Sequence, residues 1–80
     1  MLTQYIQAAM REAKYEIFDD GTFYGEIPSC PGVYANEMIL EDCRNELQSV
    51  LEGWIILGLR MGHQIPPIGQ INLNTQSAAA

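Results

Sequence analysis

The stretch from Leu40 to Met61 does most to limit what this 80-residue chain can fold into. Leu40, Cys43, Leu47, Val50, Leu51, Trp54 and Gly58 recur at intervals of three and four, while Glu41, Asp42, Arg44, Glu46 and Gln48 fall on the other side. Residues so spaced share one face of a 3.6-residue turn, so an amphipathic helix is expected over 40–61. Glu41 and Asp42 suit its N-terminal dipole, Arg60 and His63 its C-terminal end, and Gly62 is a natural stop. Its N-cap, Ile39 or Met38, has no side-chain oxygen, at a cost of about 1 kcal/mol relative to Ser or Thr. The last third, with Trp54, Ile55, Ile56, Leu57 and Leu59, is apolar nearly all round. A helix apolar on every side must be covered on every side, and one small sheet covers only one. Those residues are therefore expected to form an interface in a homo-oligomer, a dimer or larger.

The rest of the chain has to supply the other layer. Leu2, Tyr5, Ile6, Ala9 and Met10, with Thr3 as a loose cap, predict a short helix over 2–11. The period then changes: AKYEIF and TFYGEI flank DDG, as in a β-hairpin. A two-residue loop would oppose Lys14 to Ile27 and scatter charge over both faces. A three-residue loop, Asp19-Asp20-Gly21, instead puts Ala13, Tyr15 and Ile17 on one face with Phe23, Gly25 and Ile27, and opposes Lys14 to Glu26 on the other. Gly21 then takes the left-handed position of a type I turn with a G1 bulge. The outward face bears Phe18 and Tyr24, and the sequence leaves open whether the first helix covers it. EIPSCPGVY follows, with Pro28, Pro31 and Gly32 setting a rigid turn, and GVYAN reads as a third strand with Val33 and Ala35 inward and Tyr34 outward. The hairpin and third strand together occupy about 13–37. After the long helix, Pro66 and Pro67 allow only a short edge strand over 64–68. One domain over 1–68 is expected, with 69–80 as a tail whose last residues are mobile.

Composition excludes several functions. Ten acidic residues against Arg11, Lys14, Arg44 and Arg60 leave a formal charge of −6, which repels phosphate backbones and favours a basic protein partner. No apolar run approaches the roughly 20 residues of a membrane span. The two cysteines form no CxxC and no signal-peptide pattern precedes them, as expected of a cytoplasmic protein.

The candidate chemistry is sparse. A nucleophilic Cys30 would need a nearby base or positive end, and His63, the single histidine, lies beyond the far end of the long helix. Cys30 is thus read as a turn residue replaceable by Ser or Asp, and Cys43 as a small core residue. One His and two separated Cys do not make a metal site. Asp19, Asp20, Glu26, Glu37 and Asp42 are the acids available to a Mg²⁺ nuclease, but the turn accounts for Asp19 and Asp20, the solvent face for Glu26 and the helix start for Asp42. No Gly-rich phosphate loop is present, and no enzyme, cofactor or metal is expected.

The segment YEIFDDGTFYGEIPSCPGVYANEMILEDCRNELQSVLEGWI closely resembles the HicB family of antitoxins. There, a strand ending in Asp-Gly leads into a P-x-x-P-G turn, a short strand and a helix opening with Leu-Glu-(Glu/Asp)-(Ala/Cys). The resemblance runs from about Lys14 to Pro67. Asp19, Asp20 and Gly21 match the first turn, Pro28, Pro31 and Gly32 the second, and Leu40, Glu41, Asp42 and Cys43 the helix start. It implies an α+β class and a β-β-β-α-β, partial ribonuclease-H-like domain, here preceded by a helix. It also implies an antitoxin that binds and neutralises a small basic HicA-type toxin that degrades messenger RNA. The stretch after Pro67 is too short for the DNA-binding domain of many relatives, so no direct DNA binding is expected. An orphan oligomeric module of the same fold is the alternative, and a remnant Mg²⁺-dependent nuclease the third.

Overall fold

The computed structural model describes residues 2–74. Helix α1 (Leu2–Glu12) leads into three strands, β1 (Lys14–Ile17), β2 (Phe23–Glu26) and β3 (Tyr34–Glu37), and then helix α2 (Leu40–Arg60). The strands form an antiparallel meander in the order β1-β2-β3. Lys14 opposes Glu26 and Ile17 opposes Phe23, the register set by the three-residue loop. The Gly21 amide donates to the Phe18 carbonyl (2.9 Å) and the Phe18 amide to that of Thr22 (2.8 Å), with Gly21 at φ +86°. This is the type I turn with a G1 bulge.

The EIPSCPGVY stretch is two turns in succession. The Cys30 amide donates to the Ile27 carbonyl (3.0 Å) and the Val33 amide to the Cys30 carbonyl (3.1 Å). Each turn has proline at its second position, where a fixed φ is favourable, and Gly32 has φ +93°, the conformation that the third position of a type II turn requires. The two turns meet at Cys30, and there the sequence expectation is corrected. Cys30 is fully buried, at the shared corner of the two turns and against the Tyr5 side chain of α1.

One face of the sheet packs on α2. Ala35 from β3, Ile27 and Val33 from the ends of the double turn, Cys43, Leu47, Leu51 and Ile55 from α2, and Tyr5, Ala9 and Met10 from α1 belong to one core. Gly25 is buried beneath the Tyr15 ring, where a Cβ would come within 2.8 Å of its carbons. Helix α2 begins at Leu40 behind Ile39, which makes no side-chain cap bond. At its other end the His63 amide donates to the Gly58 carbonyl (2.8 Å) and the Gly62 amide to that of Leu59 (3.2 Å), a Schellman closure. Two expectations for the helix are corrected: Leu40, read as part of the inward stripe, is 45% exposed, and Ile55, read as an interface residue, is 1% exposed and lies in the core. Leu40 opens the helix beyond the cover of the sheet, whereas Ile55 lies one helical turn beyond Leu51, on the face that α1 completes.

The expected edge strand over 64–68 does not form. Pro66 and Pro67 offer no donors, and the Ile65 backbone is held instead by the Asn74 side chain, which accepts from the Ile65 amide (2.8 Å) and donates to its carbonyl (3.0 Å). Ile68 and Ile71 pair as an isolated bridge, and Ile65, Ile68 and Leu73 are buried. Residues 69–74 therefore belong to the folded domain. The expected mobility of the final residues falls on 75–80, outside the described residues.

Candidate functional site

Tyr5 is the residue that ties the pieces together. It is fully buried on α1, its hydroxyl donates to the Pro66 carbonyl (2.5 Å), and it lies 3.7 Å from the Cys30 Sγ. With the hydroxyl proton committed to Pro66, the thiol is left to donate to the tyrosine oxygen. Burial raises the Tyr5 hydroxyl well above the usual tyrosine range. It also raises the Cys30 thiol, which opposes the thiolate that a nucleophile needs. The Ser29 hydroxyl donates to Glu12 (2.6 Å), fastening the same turn to the end of α1.

Of the candidate acids, Asp20 and Glu26 are engaged, each with a different partner. Asp20 accepts from the Thr22 hydroxyl (2.6 Å) and amide (2.9 Å), and these bonds, the hydroxyl's first, lower its pKa. Glu26 accepts from the Tyr24 hydroxyl (2.9 Å). Among the described residues no three of His, Cys, Asp and Glu come together as a metal site would require. The two family turns lie at opposite ends of β2: Asp19, Asp20 and Gly21 precede it, and Pro28, Pro31 and Gly32 follow it. They do not converge on one site. At the start of α2, Glu41 and Asp42 are exposed, and Cys43 is buried with its thiol donating to the Ala35 carbonyl (3.6 Å). Burial raises this thiol too.

Two surfaces remain open. Toward the end of α2, Ile56, Leu57, Leu59 and Met61 are exposed at 55%, 59%, 42% and 59%, beside a half-buried Trp54. The other is the outward face of the sheet. Helix α1 packs against α2, so it does not cover that face. Phe18, Tyr24 and Tyr34 stack across it, with ring centroids 5.1 Å and then 6.1 Å apart. The alternation of the strands already marks these rings as outward. Their alignment depends on the diagonal offset between paired strands, and the roles of Tyr5 and Asn74 depend on contacts distant in sequence.

Fold and surface together define a small α+β domain with an apolar and an aromatic face open and a cleft between α1 and α2 lined by Arg11, Arg44, Gln48 and Glu52. The UPF0150-like family matches residues 4–66, and the chain belongs to that family. Among solved structures it is similar to the crystal structure of TTHA0281 from Thermus thermophilus, at 41% identity and a TM-score of 0.85, over 90% of each chain. No curated protein matches the chain. Among the described residues no helix is long and apolar enough to cross a membrane.

Proposed function

We propose that this protein is a non-enzymatic, HicB-like antitoxin module that binds and neutralises a small basic HicA-type toxin in the cytoplasm. The observation that carries this reading is the family match over residues 4–66, which spans both turns and the helix start on which the HicB resemblance rests. In this reading the meander and α2 are a partial ribonuclease-H-like arrangement. A net charge of −6 suits a basic partner, since complementary potentials speed encounter and disfavour wrong partners. The separate engagement of Asp20 and Glu26 supports binding over Mg²⁺-dependent cleavage.

The test is co-expression with a neighbouring short, basic, His-containing reading frame. Restored growth and a complex that survives purification are expected. Unchanged toxicity with no complex would overturn the antitoxin reading.

The second reading, an oligomeric module without a toxin, draws on the exposed Ile56, Leu57, Leu59 and Met61. Self-association through these residues is common to both readings. Ile56→Glu or Leu59→Glu is expected to lower the mass in light scattering to that of a single chain, because a charge placed in an apolar contact loses its hydration. An unchanged mass in both variants, or a wild type already monomeric, would remove that interface.

A further inference from the structure

We propose that the outward face of the sheet is a docking surface for an arginine-bearing segment of a protein partner, with Phe18, Tyr24 and Tyr34 as the stacking platform and Glu16 and Glu26 as its counter-charges. Paired strands place Lys14, Glu26 and Tyr34 in one row and Glu16, Tyr24 and Asn36 in the next. The three rings therefore run diagonally across the sheet, at interplanar angles of 14° and 27°. The ends of this ladder are open, Phe18 at 40% and Tyr34 at 59% exposed. Tyr24 is held in the middle by its bond to Glu26.

Charge selects the occupant. An aromatic sheet face of this kind can stack nucleic-acid bases when cations accompany it. Here Lys14 is the only cation on the face among the described residues, whereas Arg11 lies on α1 and Arg44 and Arg60 on α2. Glu16 and Glu26 flank the rings, and Asp19 and Asp20 stand at the hairpin rim. A guanidinium is planar, stacks on aromatic faces and pairs with carboxylates in a fork, so it uses both features of this surface at once. Lysine uses the charge and makes less of the rings.

The inference rests on the proposed function only for the partner's basic character, and it is tested without a toxin. The probe is a short arginine-rich peptide, compared with the same peptide carrying lysine at every arginine, titrated while backbone amide shifts are followed by NMR. The largest shifts are expected at 14–18, 22–26 and 34–36, with the arginine peptide bound several-fold more tightly. Tyr34→Ala and Glu16→Lys should each weaken it about tenfold. Tyr34→Phe, which keeps the ring, should bind as wild type does, and so should Glu46→Lys, which makes the same charge change on the exposed side of α2. Four results would each overturn the proposal: shifts confined to Glu41, Asp42 and Glu46; equal weakening by Glu16→Lys and Glu46→Lys; tighter binding of single-stranded RNA than of peptide; or concentration-dependent shifts showing a second copy on this face. The two proposals fail separately. A toxin complex indifferent to Tyr34→Ala and Glu16→Lys would refute the docking face alone, while the expected peptide map with no growth rescue would refute the antitoxin reading alone.

Discussion

Cys30→Asp is expected to unfold the protein or come close to it. Cys30 has no exposed surface, and its one side-chain polar partner among the described residues is the Tyr5 hydroxyl, whose proton goes to Pro66. An aspartate there would be a buried carboxylate without a cation, or a carboxylic acid larger than the thiol it replaces. A buried charge left without its partner costs about 3–5 kcal/mol, against a total stability of about 5–15 kcal/mol for a typical domain. Cys30→Ser is the control. It keeps the size and can still bond Tyr5, so its cost should be nearer 1–2 kcal/mol. Urea denaturation followed by circular dichroism decides the matter: equal midpoints for Cys30→Asp and wild type would mean that the double turn does not hold residue 30 in the core.

Tyr5→Ala should be of similar severity for a different reason. It removes a large, fully buried side chain from the place where α1, the double turn and the return segment after α2 meet. Truncating a buried aromatic costs about 3–5 kcal/mol. Tyr5→Phe removes only the hydroxyl and its bond to the Pro66 carbonyl, for about 1–1.5 kcal/mol. The pair separates packing from hydrogen bonding, and a Tyr5→Phe loss as large as that of Tyr5→Ala would contradict the packing account.

The phenol also carries a pH signature. Its pKa is raised in the folded state, so its contribution is complete below the ordinary tyrosine value of about 10 and is lost as pH rises above it. Tyr5→Phe should therefore flatten the alkaline fall in stability. Some slope should remain, because burial raises the Cys30 thiol as well.

Much of the candidate site was local enough to be legible in the sequence. Alternation placed Phe18, Tyr24 and Tyr34 on the outward side, and the Asp-Asp-Gly sequence by itself specified the first turn. Ile55 and Cys30 were not legible, for one shared reason. A helix apolar all round gives no periodic sign of which side the rest of the chain covers, and a residue between two prolines gives no sign of which way its side chain turns.

Local physics, then, was carried by the sequence: the helix over 40–61 by its spacing, the hairpin register by charge and alternation, and both turns by proline and glycine. Each depends on residues close together in the chain or on neighbouring strands, where the interaction that decides the outcome can be read from composition and interval. Tertiary structure alone decided that α1 joins the core beside α2 and leaves the sheet's outer face open. It also decided that Tyr5 reaches Pro66, and that Asn74 takes the place of a strand partner for Ile65. These outcomes depend on which surfaces meet after the chain has closed on itself, and no interval along the sequence encodes that.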